Sequence, residues 1–267
     1  MAQYSQNSPL SDVFIRKIVG SAIYAEIALA AGCRWQDTDL EEVIDKRFEH
    51  DKEFTGIYRK MLLGVIPTNE ICNRIQVNLG CGNLIHWRDH PFWRILYPHQ
   101  PTEEHIAATL KSTERHVFES IWPKNPRKGF IFPKIHNSND KYEQLAKFNN
   151  FSALISLSAY ARVPIGQFLI SSDSTAAKYS RKIFSRVVCN TPHLFIRWPF
   201  LIERYINLVW TSPLGHYFIH SGSPEKDCHT LINEILKEEK ASRKRGVNLP
   251  PKQLVRRINK DQLRFIQ

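Results

Sequence analysis

The stretch FTGIYRKMLLGVIPTNEICNRIQVNLGCG, residues 54–82, contains two segments of helical character separated by a Gly and a Pro. An aromatic and basic run predicts a helix over 52–63. Gly64 is expected to end it, because glycine takes the left-handed conformation that closes many helices. Thr68 can cap a second helix. Its apolar residues recur every four positions: Ile71, Ile75 and Leu79. The stretch therefore predicts two helices joined by a short turn.

Helical patterns continue on both sides of these two helices. Further helices are predicted over 13–31, 40–48, 102–121, 142–163 and 229–240, and from 172–174 onward. Alternating apolar and polar residues, the pattern of a half-buried strand, are scarce. The predicted fold class is therefore mainly α.

The amino-acid composition and the positions of helix-breaking residues predict the domain organisation. At 267 residues, 42% of them hydrophobic, the chain can form one large domain or two small ones and is not disordered as a whole. Residues 123–141, rich in Pro, Asn and Lys and without a clear period, predict a linker. We expect a helical domain over 1–122, a second helical domain over 142–240 and a basic tail over 241–267.

The charge points to a polyanionic partner. The formal net charge is +11, which favours nucleic acid first and an acidic membrane surface second. From Lys237 onward, ten basic residues face three acidic ones, a local surplus of +7. The plain alternative is a basic protein with no such partner. No apolar run approaches the roughly 18 residues that span a bilayer, so we expect no membrane partner.

The cysteines and the N-terminus indicate a cytoplasmic protein. Five cysteines without a CxxC pair predict neither a disulfide framework nor a zinc ribbon. The first residues lack the basic and apolar regions of a signal peptide.

The helix predicted over 52–63 carries side chains suited to reading a DNA groove. In a helix-turn-helix protein, polar and basic residues of one helix touch base edges and phosphates. Here Ile57, Met61 and Leu62 would face the core. The residues expected to contact nucleic acid are Lys52, Thr55, Tyr58, Arg59 and Lys60. An ordinary helical hairpin is the alternative.

The order of Tyr58, Gly64, Pro67, Ile71 and Ile75 resembles the lambda-repressor-like (Xre-type) helix-turn-helix family. The resemblance covers about residues 54–93. It implies a bacterial DNA-binding regulator, or a DNA binder of mobile elements or antiviral defence, with DNA favoured over RNA.

Two further basic clusters predict contacts with a nucleic-acid backbone. The first lies on one helical face at positions i, i+3, i+4 and i+8, with Tyr179 and Phe184 beside it: Lys178, Arg181, Lys182 and Arg186. The second lies in the tail, where cations would release counterions from phosphates: Arg243, Lys244, Arg245, Arg256 and Arg257. A solvated helix face and a solvated tail are the alternatives.

No catalytic residue, metal site or cofactor is predicted. A histidine-rich segment covers 86–105, and His216 and His220 lie four apart, but neither matches a metal-binding motif. A phosphate-binding loop, a dinucleotide fingerprint and a nucleophile elbow are absent from the sequence. Two other functions stay open: a subunit of a larger nucleoprotein complex that binds RNA or DNA without reading sequence, and an enzyme acting on nucleic acid through a histidine-rich site. A homo-oligomer or a larger complex also stays open as the assembly.

Overall fold

The computed structural model describes residues 8–32, 56–122, 139–163, 170–211 and 224–244. Across these ranges the fold is mainly α, which confirms the predicted class. In chain order the first helices are α1 (Val13–Ala30), α2 (Ile57–Leu62), α3 (Asn69–Leu79), α4 (Leu84–Asp89), α5 (Phe92–Ile95), α6 (Glu103–Lys111) and α7 (Arg115–Ile121). They are followed by α8 (Asn139–Phe148), α9 (Phe151–Ala161), α10 (Ile170–Asn190), α11 (Pro192–Phe195), α12 (Trp198–Arg204), a π-helix (Tyr205–Val209) and α13 (Pro224–Lys244).

Packing divides the chain into two compact units, each built from separate stretches of sequence. Unit 1 comprises Met1–Asp89, Cys189–Leu201 and Glu239–Gln267, and unit 2 comprises His90–Val188 and Ile202–Glu238. The predicted domain boundaries at 122 and 142 do not coincide with the limits of these units, because α11, late in the chain, packs against α1. Most of the predicted linker, 123–141, lies outside the described residues.

The first helix is the centre of unit 1 and matches its prediction. Asp12 caps it, since the carboxylate Oδ1 accepts hydrogen bonds from Phe14 N at 2.8 Å and Ile15 N at 3.1 Å. Gly32, with a φ of +66°, follows its last turn. Side chains are buried on almost every side of α1, as in a helix enclosed by its neighbours.

The second helix is shorter than predicted. It begins at Ile57 rather than at residue 52, because Gly56 has a φ of +80° and interrupts any helix entering from before it. The predicted end is confirmed. Gly64 has a φ of +93°, its N–H donates to Met61 O at 2.9 Å, and Val65 N donates to Lys60 O at 3.0 Å.

The third helix confirms the second half of the predicted pair. Thr68 Oγ1 accepts a hydrogen bond from Ile71 N at 3.3 Å, and Gly80, with a φ of +62°, ends the helix. Cys72 and Ile75 lie in the core. Ile71 and Leu79 are only half-buried. Of the predicted apolar stripe, Ile75 is therefore confirmed in the core, and Cys72 takes the second buried position in place of Ile71.

Two helices predicted as continuous in unit 2 are each broken. The 102–121 segment forms α6 and α7, and the 142–163 segment forms α8 and α9. Between the latter, Asn149 has a φ of +49°, and Asn150 Oδ1 accepts a hydrogen bond from Ala153 N at 2.9 Å. Asn readily adopts the left-handed conformation and caps helices, so the Asn149-Asn150 pair ends one helix and starts the next.

The core of unit 2 fixes the inner side of α10. Phe184 packs against Tyr205 and Trp210 with ring centroids 4.7 and 5.3 Å apart. Trp210 Nε1 donates to Ser180 Oγ at 3.0 Å, so this buried indole N–H is satisfied. Since these contacts hold one side of α10 inward, its opposite side faces solvent.

Candidate functional site

The outward side of α10 carries basic side chains at successive turns. Lys178 and Lys182 are exposed, and the Arg186 side chain is 59% exposed. Spaced four residues apart, they extend about 12 Å along the helix. Arg181, half-buried, lies beside them. We call these four residues the α10 basic face, and the structure places all of them on a single 21-residue helix, as predicted.

Acidic side chains offset part of this charge. Arg186 Nε lies 3.6 Å from Glu238 Oε1 of α13. The pKa of Tyr179 is raised, mainly by partial burial and secondly by the negative charges of Glu143 and Asp140. Lys182 Nζ lies 5.9 Å from the centre of the Tyr179 ring. Lys178 and Lys182 are the exposed lysines of this face, and Arg186 is the member whose guanidinium lies beside an acid.

The residues predicted to contact nucleic acid from the helix over 52–63 lie in different environments. Arg59 and Lys60 are exposed on α2. Tyr58 is 1% exposed, so, contrary to prediction, its side chain is not available to contact nucleic acid. Tyr58 and the fully buried Met61 lie three residues apart and share the inner face of α2, a spacing visible in the sequence. Lys52 and Thr55 lie outside the described residues.

The basic tail is described only at its beginning. Lys244 is exposed and ends α13, which also contains Arg243. Arg245, Arg256 and Arg257 lie outside the described ranges. Contacts of the tail with nucleic acid therefore stay a prediction.

The histidine-rich segment contains side chains with structural roles. His90 is buried, and its Nδ1 accepts a hydrogen bond from Phe92 N at 3.1 Å at the start of α5. His105 Nδ1 accepts one from Thr102 N at 3.1 Å, which completes a capping box on α6. Within the ranges given above, no three His, Cys, Asp or Glu side chains are placed to hold a metal ion. His216 and His220 lie outside those ranges.

An acid–histidine pair in unit 1 was not predicted. His193 Nε2 of α11 lies 2.6 Å from Glu26 Oε2 of α1. Gly82 N donates to the other Glu26 oxygen at 3.1 Å. The His193 ring stacks on the Trp87 indole, with centroids 4.0 Å apart and planes 12° apart. The side chains of His193 and Glu26 are 13% and 21% exposed. The two residues are 167 positions apart, so no local pattern could have paired them.

The chemistry of this pair is structural rather than nucleophilic. The hydrogen bond from His193 is the main cause that lowers the pKa of Glu26, so Glu26 is ionised at neutral pH. A histidine oriented by a carboxylate can activate a nucleophile, but nearby Cys81 is a poor one. Burial, together with the charge of Glu26, raises the pKa of the Cys81 thiol to about 11. The pair therefore ties α1 to α11.

Replacing Glu26 with Gln tests this role. We expect the free energy of unfolding to fall by about 1–3 kcal/mol at neutral pH, since a charged hydrogen bond between half-buried groups is lost. The folded pKa of Glu26 lies below its ordinary value of 4.5. The wild-type advantage should therefore be complete above that pH and decline as the pH falls below it. Chemical denaturation of both proteins at neutral and acidic pH measures the difference.

The matched control for this change is Glu119→Gln. Glu119 accepts a 2.7 Å hydrogen bond from Arg115, whose side chain is 90% exposed. Because water screens such pairs, we expect little change in unfolding at either pH. Equal effects of the two substitutions would contradict a special role for Glu26.

Comparisons with protein-family models, curated proteins and solved structures gave no match. None of the helices in the described ranges combines the length and apolar character that a bilayer crossing requires.

Proposed function

We propose that this protein binds nucleic acid, with the α10 basic face contacting the phosphate backbone. The observation that supports this most directly is the row of Lys178, Lys182 and Arg186 at successive turns of one helix. Their inner neighbours are fixed by the core of unit 2, so the cations are presented on a rigid element.

The expected mode of binding is electrostatic. Lys and Arg that neutralise phosphates release condensed counterions, which gives affinity without selecting a sequence. The formal net charge of +11 adds long-range attraction for any polyanion. DNA is favoured over RNA by the helix-turn-helix resemblance alone, and a role as a regulator or a defence-associated DNA binder rests on that same resemblance.

The double variant Lys178→Ser/Lys182→Ser should bind a DNA duplex about tenfold more weakly at moderate salt. The slope of log affinity against log salt should also become shallower, by up to about 2, since each phosphate contact contributes about 0.9. Fluorescence anisotropy with a labelled duplex over a range of salt concentrations measures both quantities.

A control with the same charge change is Lys111→Ser/Arg115→Ser in unit 2. Both side chains are exposed and lie on α6 and α7 rather than on α10. The control should lower affinity much less. If the two double variants were equivalent, binding would depend on net charge and not on the α10 basic face.

Sequence reading by α2 is a second candidate function, favoured by the adjacent exposed side chains of Arg59 and Lys60. A guanidinium that contacts a guanine edge discriminates between bases, whereas a backbone contact does not. The same titrations on duplexes of unrelated sequence separate the two functions. Equal affinity for all of them would support backbone binding and contradict reading by α2.

A further inference from the structure

Unit 1 exposes four apolar side chains where the turn after α2 lies against the start of α1. Leu63 and Val65 are 67% and 49% exposed, and Val13 and Phe14 are 49% and 37% exposed. Gly64, between Leu63 and Val65, is in contact with α1, since a Cβ on it would lie 3.3 Å from Lys17 N. Lys17 is one helical turn from Val13 and Phe14. The turn that carries Leu63 and Val65 therefore meets α1 next to the helical turn that carries Val13 and Phe14. We call these four side chains the apolar patch.

Three cationic side chains lie within one helical turn, along the chain, of members of the apolar patch. Lys17 Nζ lies 5.3 Å from the centre of the Phe200 ring, and Phe14 packs edge-on against that ring at 5.4 Å. Arg59 and Lys60 are exposed on the last turn of α2, four and three residues before Leu63. Apolar side chains and cations thus occur together on the same side of unit 1.

The nearest described acid in sequence is Asp12. Its carboxylate is held at the start of α1, where it accepts hydrogen bonds from Phe14 N and Ile15 N. It therefore offsets only part of the surrounding positive charge.

We propose that the apolar patch docks this protein onto an anionic lipid bilayer. Aliphatic and aromatic side chains gain free energy by entering the boundary between headgroups and acyl chains, and Lys or Arg beside them are attracted to anionic headgroups. Leu63 is 67% exposed, which suits insertion into a soft interface better than a groove that encloses a peptide. A second copy of the chain is a poor occupant, because two copies would each bring a net charge of +11.

This inference is independent of backbone binding by the α10 basic face, which belongs to unit 2 and shares no residue with the apolar patch. It shares Arg59 and Lys60 with the second candidate function, sequence reading by α2. It also revises an expectation from the sequence. The absence of a bilayer-spanning run predicts no membrane partner, but docking at an interface requires no such run.

The test uses the full chain and two kinds of vesicle, phosphatidylcholine with phosphatidylserine and phosphatidylcholine alone. We expect co-sedimentation with the anionic vesicles that weakens as salt increases, and much weaker binding to the neutral ones. The variant Leu63→Ser/Val65→Ser should bind anionic vesicles at least about tenfold more weakly, because it lacks several methyl and methylene groups that would enter the bilayer. Its affinity for a DNA duplex should stay within about twofold, since no charge changes.

The control is Val77→Ser, which replaces another exposed valine of unit 1. Val77 is 82% exposed on α3, and its substitution should leave vesicle binding unchanged. Thermal melts check that each variant is folded. If the Leu63/Val65 variant were unfolded, Arg59→Ser/Lys60→Ser should still lose binding to anionic vesicles.

Four results would overturn the proposal. They are no binding of the wild-type chain to anionic vesicles, equal loss in the Val77 control, loss of duplex binding instead of vesicle binding in the Leu63/Val65 variant, and self-association of the wild-type chain that this variant abolishes. The third would assign the apolar patch to nucleic acid, and the fourth to a second copy.

Discussion

Replacing Gly20 with Ala is expected to destabilise unit 1 by about 3 kcal/mol, a large fraction of the stability of a typical domain. A Cβ on Gly20 of α1 would lie 2.2 Å from Met61 O and 3.1 Å from Met61 C of α2. These are backbone atoms, so no side-chain rotation can relieve the overlap. In an unhindered helix the same substitution stabilises by about 1 kcal/mol, so even the sign of the change is informative. Urea denaturation measures it.

The control for this prediction is Gly80→Asn at the end of α3. Nothing lies within 4 Å of a Cβ placed there, and the φ of +62° is one that Asn tolerates. We expect a loss below about 1 kcal/mol. If Gly20→Ala raised the stability, the close approach of α1 and α2 would be contradicted. The position of Arg59 and Lys60 relative to α1 would then be contradicted as well.

The helix ends that the sequence predicted well are those with a capping side chain at the start or a glycine just after the end. Asp12 and Gly32 bracket α1, and Thr68 and Gly80 bracket α3. Each of these signals acts through hydrogen bonds within a few residues, so the residue types alone identify it.

The errors also have local causes. The prediction of a helix from residue 52 treats Gly56 as a tolerated glycine, and only its positive φ shows that it is a helix breaker. The prediction of one helix over 142–163 overlooks the Asn149-Asn150 pair, although Asn favours turns and caps. The prediction of Tyr58 as a contact residue rests on an aromatic side chain, a type that suits both cores and interfaces, and it overlooks the three-residue spacing to Met61.

The candidate sites differ in how far a sequence can reveal them. The α10 basic face lies within one helix, so its periodicity predicted it. The Glu26–His193 pair and the apolar patch join segments far apart in the chain, and only the fold brings them together. A periodic pattern in the sequence cannot predict such a contact, because it relates only residues that are close together in the chain.

The formal charge also overstates what the surface of the protein presents. Arg162 is 7% exposed. Arg197 is half-buried, and its guanidinium donates to Ser21 Oγ at 3.1 Å and to Leu62 O. Burial also lowers the pKa of this guanidinium. Both side chains bind the protein's own backbone or core rather than a ligand. A polyanion would therefore meet fewer cations than the sequence counts.

Replacing Arg162 with Met is expected to destabilise unit 2 by about 2–5 kcal/mol. Arg162 Nη2 donates to Tyr97 O and to His99 O, each at 2.9 Å, and Nη1 donates to Leu208 O at 3.4 Å. Burial lowers the pKa of this guanidinium to about 10, so it stays charged at neutral pH. Met fills much of the volume but leaves these carbonyls without their donor. Thermal and urea unfolding measure the loss.

Two further variants distinguish the hydrogen bonds of Arg162 from its charge. Arg162→Lys keeps the charge but offers a compact ammonium in place of the planar, forked guanidinium, so it should recover only part of the lost stability. Arg115→Met removes an arginine whose side chain is 90% exposed, and it should leave the melting temperature almost unchanged. If Arg162→Lys were as stable as the wild type, a single charge would suffice at this position. The three carbonyls of unit 2 would then not require the fork that only arginine supplies.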